Sequence, residues 1–335
     1  MTFQTVYIEI TNRCNLNCRT CYNRSGLNRY TQEISIEQLE KIITTTAKYG
    51  ANRFLFSGGE PSLHSHFHEL LKLIEHYPTA SFGFVTNGTV NDEVWIDYLN
   101  SHHNLTLQIS LDGANEDQNA LTRGSGNFDK TVAFAKKIHN PRMKALLKMV
   151  ISKKNLDGVE PFYKLALDLG CVPEFAFIYK SGNGCDGWEE KALSAHEKIK
   201  VLKLIDALNK QYRVEAFLPK CTSTCPYTSN TDHMSICIKV DGSIQPCQGL
   251  YAPEFTLGNV FDFDEREVLN NLNTLSALMR QRKTMDFGCQ KCMLKQVCGR
   301  GCMAEAFHLT NDPLGNDDGC MFRKLQLLSF DIRSI

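Results

Sequence analysis

The sequence lacks an excess of charge of either sign, because 37 Lys and Arg are balanced by 37 Asp and Glu. Binding to nucleic acid or to an anionic membrane surface usually requires a basic excess, so the balance argues against both partners. No apolar run is long enough to span a bilayer. The first residues, MTFQTVYIEI, have no basic region ahead of an apolar core. We therefore expect no membrane contact, no signal peptide and a cytoplasmic location.

Low-complexity tracts and internal repeats are also missing, apart from an alternation of strand-like and helix-like segments. Hydrophobic residues make up 42% of the chain and the mean hydropathy is −0.28, which is typical of a globular protein. A single hydrophobic core stops growing at roughly 250–300 residues. The 335 residues therefore predict more than one domain.

The alternation predicts the fold of the first half. Short apolar runs predict strands at 5–10, 52–57, 81–86, 105–111, 144–151 and 173–179. Between them, amphipathic patterns predict helices at 35–50, 67–77, 91–100, 128–138 and 159–170. This α/β pattern predicts a partial (β/α)6 TIM barrel, with parallel strands and with its chemistry where the strands end.

The pattern changes after residue 184 and predicts three parts. We expect the barrel over 1–184, a linker and bridging helix over 185–213, and a small cysteine-rich α+β domain over 214–335. Residues 234–247 predict a β-hairpin with an Asp-Gly turn. With a two-residue turn, Val240 faces Ser243, and Cys237 points to the opposite face from Cys247.

The chain is rich in cysteine, with 14 residues. In a reducing cytosol, clustered cysteines more often bind metal than form disulfides. Cys14, Cys18 and Cys21 form a C-x3-C-x2-C loop directly after the first strand. A [4Fe–4S] cluster normally has four thiolates, so three leave one iron open to an exchangeable ligand. Half of a four-ligand zinc site is the alternative.

Other strand-end segments suggest a companion for such a cluster. The turn Ser57-Gly58-Gly59-Glu60-Pro61 exposes backbone and places one carboxylate beside it. Arg123 can form a fork of hydrogen bonds with a ligand carboxylate. A carboxylate and a guanidinium together would recognise the amino and carboxylate groups of an amino-acid moiety.

The cysteine loop followed by G-G-E-P resembles the radical S-adenosylmethionine (SAM) enzymes over roughly residues 1–180. The resemblance implies a [4Fe–4S] cluster with an open iron that binds SAM, and a 5′-deoxyadenosyl radical that abstracts a hydrogen atom from the substrate. It places Gly58, Gly59 and Glu60 at the methionine amino group. It also places three further residues on SAM: Asn87 and Ser110 on the ribose and methionine side, and Arg123 near the carboxylate. Thr20 stands where the family often has an aromatic residue or histidine against adenine.

The C-terminal cysteines resemble the SPASM extension of these enzymes, most closely from Gly242 to Cys320. This resemblance implies two auxiliary [4Fe–4S] clusters. The outer one would be held by Cys289, Cys292, Cys298 and Cys320. The inner one would take Cys247, Cys302 and two upstream thiols, for which Cys221 and Cys225 are preferred over Cys237. An inner cluster with one open iron is the alternative.

The resemblance implies an enzyme that modifies a peptide or protein by crosslinking, thioether formation or epimerisation. Cys185 follows the sixth strand and is a candidate hydrogen-atom donor, or else a spare linker residue. Gln248 follows Cys247 where sulfatase-type maturases have a basic aspartate, so formylglycine formation ranks low.

Expected partners are a peptide or protein substrate and a flavodoxin or ferredoxin as reductant. The first strand begins almost at once, so we expect no leader-binding domain ahead of it. Either a separate protein presents the peptide, the peptide binds directly, or the substrate is small. The alternatives are a small-molecule radical SAM dehydrogenase and a non-catalytic iron–sulfur electron carrier.

Overall fold

A computed structural model describes residues 2–26, 31–217, 234–285, 288–294, 298 and 300–329. Within these ranges the strands are β1 Phe3–Thr11, β2 Arg53–Gly58, β3 Ser81–Thr86, β4 Leu105–Ser110, β5 Lys144–Ile151, β6 Val172–Phe177, β7 Met234–Ile238, β8 Ser243–Gln245 and β9 Gly258–Asn259. The helices are α1 Ile36–Ala47, α2 Phe67–Glu75, α3 Glu93–Ser101, α4 Glu116–Arg123, α5 Phe128–Lys136, α6 Val159–Asp168, α7 Trp188–Lys191, α8 Ala195–Tyr212, α9 Glu265–Thr284, α10 Met303–Thr310 and α11 Cys320–Ser329.

The strands form one sheet in the order β6-β5-β4-β3-β2-β1-β7-β8-β9. Neighbours from β1 to β6 pair in parallel, as the strand–helix alternation predicts. The α/β fold with a parallel sheet is therefore confirmed. Because parallel strands all end at the same edge, the segments that follow β1, β2, β3, β4 and β6 lie near one another.

Apolar side chains explain why these segments form a sheet covered by helices. Trp95 of α3 is fully buried, and its ring centroid lies 5.1 Å from that of Phe67 and 5.0 Å from that of Phe134. Helix α1 begins at a capping box formed by Ser35 and Gln38, and it buries one apolar face. Among the described residues, no helix is both long and apolar enough to cross a bilayer.

The C-terminal hairpin differs from the prediction in two ways. It does not stand apart from the barrel, because β7 pairs in parallel with β1 and extends the same sheet. Its register is also shifted, since Cys237 pairs with Gln245 and Ile238 with Ile244. The turn has three residues rather than two: the Lys239 N–H donates to Ser243 O at 3.0 Å, and Gly242 closes the turn with φ +82°. Val240 therefore belongs to the turn.

This register removes the reason for setting Cys237 apart from Cys247. Cys237 and Gln245 now lie on the same face of the hairpin. The register from which Cys237 and Cys247 were predicted to point to opposite faces is therefore not the observed one.

Helix α4 was not predicted from the sequence. Its residues EDQNALTR bury only Asn119 and Thr122, so the segment shows no apolar period. It begins at the Asn115 cap, whose side chain accepts a hydrogen bond from the Gln118 N–H, and it ends at Arg123. Helix α4 therefore positions the predicted site residue Arg123, although it packs no apolar face against the core.

The hairpin turn offers a direct test of the observed register. A Cβ atom on Gly242 would lie 2.4 Å from the Phe261 ring, in a left-handed backbone conformation. We expect Gly242→Ala to lower the free energy of unfolding by about 2–4 kcal/mol, through backbone strain and overpacking together. Urea denaturation measures the change.

Gly170→Ala is the matched control. Gly170 also has a positive φ, +69°, but a Cβ atom added there would have no neighbouring atom within 4 Å. It should cost only the backbone strain, about 1 kcal/mol. Equal losses in the two variants would contradict the close contact between the hairpin turn and Phe261.

Candidate active site

One cavity of about 710 Å³ lies at the edge where the parallel strands end. All residues predicted to contact SAM line this cavity: Thr20, Gly58, Gly59, Glu60, Asn87, Ser110 and Arg123. The three N-terminal thiols of Cys14, Cys18 and Cys21 border it as well. The structure therefore brings together residues from four separate strand-end segments.

Backbone contacts join the cysteine loop to the glycine turn. The Gly59 N–H donates to Thr11 O, and the Glu60 N–H donates to Arg13 O, both at 2.7 Å. A Cβ atom on Gly59 would lie 1.9 Å from Arg13 O, and one on Gly58 would lie 2.1 Å from Thr11 O. The two glycines are therefore required for the turn to approach the backbone of the cysteine loop.

Glu60 has a structural role in addition to the predicted one. Its fully buried carboxylate accepts hydrogen bonds from Thr86 Oγ1 at 2.7 Å, the Asn87 N–H at 2.6 Å and Ser62 Oγ at 2.7 Å. Burial raises the pKa of Glu60, and these hydrogen bonds oppose the shift. Glu60 thus joins the ends of β2 and β3, and its contact with the methionine amino group stays a prediction.

Asn87 also ties two segments together. Its Nδ2 donates to Asn15 Oδ1 at 2.9 Å, which links the loop after β3 to the cysteine loop. Ser110 ends β4 and faces the same cavity. Both residues therefore border the cavity, and their contact with the ribose and methionine side of SAM stays a prediction.

Arg123 is held by a buried acid that the sequence analysis did not single out. Its Nε lies 3.0 Å from Asp112 Oδ2, and the Asp112 side chain is fully buried. Asp112 also accepts hydrogen bonds from Thr122 Oγ1 at 2.9 Å and from the Val150 N–H at 2.8 Å. The feature of the sequence that could have indicated Asp112 is its position in the S-L-D-G segment at the end of β4.

The guanidinium of Arg123 also reaches the cysteine loop, with Nη1 4.0 Å from Cys18 Sγ. Burial raises the pKa of Cys18 to about 11, and the nearby Arg123 opposes that shift. A cation beside a sulfur favours its thiolate form. Arg123 therefore contacts the cysteine loop and also borders the cavity.

The segment after β6 holds the other side of the cysteine loop. Asn183 donates from Nδ2 to Cys18 O at 2.9 Å and from its backbone N–H to Cys21 O at 2.8 Å. A Cβ atom on Gly182 would lie 2.3 Å from Tyr22 O, so the two backbones are in close contact. These contacts could not be predicted, because backbone acceptors leave no pattern in a sequence.

Cys185, at the end of the same segment, does not belong to the cavity wall. Its side chain is exposed, and it is absent from the described residues that line the cavity. In the short 3-10 turn Gly182–Cys185, the first two residues contact the cysteine loop and the last residue is exposed to solvent. The exposed position of Cys185 favours a spare linker residue over a hydrogen-atom donor, the two alternatives that the sequence left open.

An ion pair joins the end of the cysteine loop to the hairpin. Glu9 of β1 is buried, and its Oε2 lies 2.7 Å from Lys239 Nζ beside the hairpin turn. Asn23 is hydrogen-bonded to both residues. Its Nδ2 donates to Glu9 Oε2 at 3.0 Å, and its Oδ1 accepts from Lys239 Nζ at 3.1 Å. Cys237 Sγ lies 4.0 Å from Glu9 Oε1. This polar group therefore lies between the two cysteine-rich regions.

The C-terminal cysteines divide into two sets. Cys247 and Cys302 border the same cavity as the N-terminal loop, together with Gln248. The described cavity lining contains no member of the predicted outer set of Cys289, Cys292, Cys298 and Cys320. Cys221 and Cys225 lie outside the residues that the structure describes.

The donors around the cavity fit the cofactors that the motifs imply. Among the described residues, no three His, Cys, Asp or Glu side chains are grouped as a site for a single ion. A cubane cluster carries its thiolates on separate irons, so it requires thiols spread around a space. Three thiols bordering a cavity, with the Arg123 guanidinium beside one of them, provide that arrangement.

Comparison with known proteins agrees with the site. Residues 8–166 match the family model described as the radical SAM superfamily. The chain is 29% identical over 325 residues to mycofactocin maturase MftC of Mycolicibacterium smegmatis, covering 93% of this chain and 81% of that protein. It is 25% identical over 346 residues to the AdoMet-dependent heme synthase of Methanosarcina barkeri, covering 94% and 95%.

A solved structure shares the fold. The crystal structure of Streptococcus suis SuiB bound to precursor peptide SuiA superposes with a TM-score of 0.76 at 17% identity. The match covers 96% of this chain and 76% of that chain. The similarity of fold thus extends beyond the parallel strands into the C-terminal region.

The contact between Gly59 and Arg13 generates a prediction for the site. Gly59→Ala should displace the cysteine loop, because no side-chain carbon fits against Arg13 O. We expect a loss of about 1–3 kcal/mol of stability and, after anaerobic reconstitution, a loss of the iron of one cluster. Urea denaturation and iron analysis measure the two effects.

Gly158→Ala is the control, because its nearest contact is the flexible end of Gln118 at 3.3 Å. It should retain all the iron that the unchanged protein binds. Full iron content in Gly59→Ala would show that the loop does not depend on this contact.

Proposed function

Because this chain belongs to the radical SAM superfamily, we propose that it is a peptide maturase that abstracts a hydrogen atom from a peptide or protein substrate. The observation that carries the proposal is the shared cavity, which both the SAM-type motifs and two C-terminal cysteines line. The likeness to MftC, which is a maturase by name, supports it because 93% of this chain is covered.

The family's cofactors are a [4Fe–4S] cluster and SAM. When bound, they supply the 5′-deoxyadenosyl radical that removes the hydrogen atom. We assign the cluster to Cys14, Cys18 and Cys21. We assign SAM to the seven cavity residues predicted to contact it, which are Thr20, Gly58, Gly59, Glu60, Asn87, Ser110 and Arg123. Asp112 keeps the Arg123 guanidinium in place through the 3.0 Å ion pair. Glu60 and Asn87 hold the rim of the cavity through their hydrogen bonds to neighbouring segments.

We further propose two auxiliary [4Fe–4S] clusters in the C-terminal region. The outer set is Cys289, Cys292, Cys298 and Cys320. The inner set contains Cys247 and Cys302, whose place on the cavity wall would put that cluster near the substrate. Its two upstream ligands come from Cys221, Cys225 and Cys237, and the observed hairpin register returns Cys237 to the candidates. An inner cluster with an open iron is the other arrangement.

The proposed division is a barrel over 1–184, a bridging segment over 185–213 and a SPASM domain over 214–335. The pairing of β7 with β1 joins the first and last parts in one sheet. The proposed partners are a flavodoxin or ferredoxin as reductant and a separate protein that presents the peptide. A reducing cytoplasm would suit the many thiols.

A small-molecule substrate is the second candidate, because the likeness to the heme synthase covers 94% of this chain. A non-catalytic electron carrier is not favoured, since the similar proteins named above are enzymes. Formylglycine formation also ranks low, because Gln248 on the cavity wall is a neutral amide that cannot accept the proton.

The decisive experiment reconstitutes the iron anaerobically and measures 5′-deoxyadenosine formed from SAM under reducing conditions. We expect the product from the unchanged protein and none from a variant with Cys14, Cys18 and Cys21 replaced by alanine. Short peptides encoded beside the gene are then incubated with the enzyme and analysed by mass spectrometry. Crosslinking removes two hydrogen atoms from the peptide, whereas epimerisation in heavy water introduces one deuterium.

Absence of 5′-deoxyadenosine with all clusters intact would refute radical SAM activity. Turnover of a small molecule, with the peptides unchanged, would instead select the second candidate.

Asp112 generates a separate prediction about SAM binding. In Asp112→Asn the neutral amide no longer balances the buried guanidinium, which lies 3.0 Å away. We expect the Kd for SAM to rise roughly tenfold or more, equivalent to about 1.4 kcal/mol. Equilibrium binding measures the change, with Asp117→Asn on the exposed side of α4 as the control. Unchanged affinity in Asp112→Asn would show that the ion pair does not support the SAM site.

A further inference from the structure

One part of the cavity wall carries polar residues that no SAM-type motif accounts for. Lys148 of β5 and Glu174 of β6 both line the cavity, and Lys148 Nζ lies 3.0 Å from Glu174 Oε1. The side chains are only 26% and 19% exposed. Because removing two charges from water carries a desolvation penalty that an apolar pair would avoid, the pair suggests a role beyond packing. We call this part of the cavity the β5–β6 wall, which comprises Leu146, Lys148, Val150, Glu174, Ala176 and Tyr179.

The ion pair uses only one oxygen of the Glu174 carboxylate. Lys148 Nζ donates to Gln108 Oε1 of β4 at 3.3 Å in addition to its contact with Glu174 Oε1, so side chains of three neighbouring strands hold the pair in place. Glu174 Oε2 is buried and has no hydrogen-bond partner among the residues that the structure describes. A buried carboxylate oxygen normally accepts a hydrogen bond. The unused acceptor on the cavity wall therefore suits a donor that a bound molecule supplies.

The strand register places Glu174 next to the predicted SAM side of the cavity. Ser110 of β4 pairs with Lys148, and Lys148 pairs with Glu174. Neighbouring strands lie roughly 4.8 Å apart, so Glu174 lies about 10 Å across the sheet from Ser110. All three residues line the cavity. In the proposed function Ser110 contacts SAM, and Glu174 then lies where a substrate would meet the 5′-deoxyadenosyl radical.

Tyr179, just after the end of β6, offers a second unused group on the same wall. Its hydroxyl is buried, and no residue in the described part of the chain forms a hydrogen bond with it. A Cβ atom on Gly249 would lie 3.1 Å from the hydroxyl oxygen, so this oxygen lies beside the segment that follows Cys247. The ring packs against His308, with centroids 5.4 Å apart. Glu174 and Tyr179 therefore provide two polar groups at successive points along one wall.

We propose that the β5–β6 wall is the substrate subsite, in which Glu174 accepts a hydrogen bond from an N–H or O–H group of the substrate and Tyr179 forms a second hydrogen bond with it. Lys148 is a positioning residue that holds the Glu174 carboxylate. The inference rests on the proposed function and deepens it, because it names what the substrate must offer: a hydrogen-bond donor carried by a largely apolar group. Peptide amides and the N–H or O–H groups of a small molecule share this chemistry.

The test measures steady-state kinetics of the reconstituted holoenzyme. The probe is the peptide encoded beside the gene that the enzyme modifies or, if it modifies none, the small molecule that it turns over. We expect Glu174→Gln to raise the KM for the probe roughly tenfold or more, because a hydrogen bond to a charged acceptor is lost. Tyr179→Phe removes a neutral hydroxyl and should raise the KM about fivefold. The Kd for SAM, measured without the probe, should stay unchanged in both variants.

Two matched controls make the same chemical changes away from the cavity. Glu160→Gln breaks an exposed ion pair on α6, in which Lys164 Nζ lies 2.8 Å from Glu160 Oε1. Tyr212→Phe removes the hydroxyl of an exposed tyrosine at the end of α8. Neither residue belongs to the described lining of the cavity. Both controls should leave the KM for the probe unchanged.

Methylation of the probe identifies the donor. One N–H or O–H group is methylated at a time, which in a peptide distinguishes backbone amides from side chains. Methylation of the group that Glu174 binds should raise the KM of the unchanged enzyme roughly tenfold, and it should add nothing in Glu174→Gln because the two changes remove the same contact. If every methylated probe affects both enzymes equally, Glu174 accepts no hydrogen bond from the probe and the inference is overturned.

The remaining outcomes separate the inference from the proposed function. An unchanged KM in Glu174→Gln would overturn the inference, and an unchanged KM in Tyr179→Phe alone would overturn the second contact. A rise in the Kd for SAM as large as the rise in KM would also overturn it, because the wall would then belong to the SAM site. If Glu174→Gln binds less iron than the unchanged protein, Lys148→Gln replaces it, since that variant keeps the carboxylate and loses the group that holds it. A failure of the unchanged protein to turn over any probe would refute the proposed function, and the inference with it.

Discussion

Two backbone hydrogen bonds position the N-terminal cysteine loop, and the geometry of the site depends on them. The Gly59 N–H donates to Thr11 O and the Glu60 N–H to Arg13 O, each at 2.7 Å. They continue the parallel pairing of β1 with β2 beyond the ends of the strands. Because they join main chain to main chain, the turn must lack side chains at its two glycines. The loop is thus placed by the sheet, and its side chains remain available for ligands.

Buried acids perform a similar task further along the same edge. Glu60 joins the ends of β2 and β3, and Asp112 joins the segment after β4 to β5 through the Val150 N–H. A buried carboxylate must have its oxygens satisfied, so each acid acquires several donors. The same groups border the cavity. Structural and chemical roles therefore coincide at these positions, and activity alone cannot distinguish them.

Most of the fold could be predicted because six buried strands leave apolar runs in the sequence. The gathering of Thr20, Glu60 and Arg123 around one cavity could be predicted, because two motifs were present in the expected order. The failures have physical causes. Helix α4 buries almost no apolar side chain, and Val240 entered the turn because a three-residue turn with Gly242 in the left-handed conformation suits the hairpin. Asp112 and Asn183 act through contacts with distant backbone, and the order of residues does not record such contacts.

The hairpin gives β1 a second function. Strand β1 ends at the cysteine loop, pairs with β2 on one side and pairs with β7 on the other. The buried ion pair of Glu9 and Lys239, 2.7 Å apart, and its bonds to Asn23 fasten the far end of that loop to the hairpin. The strands that lead to the cysteine loop and to Cys247 therefore belong to one sheet. Electron exchange depends steeply on distance, so in the proposed function a shared sheet serves both cysteine regions better than a flexible linker would.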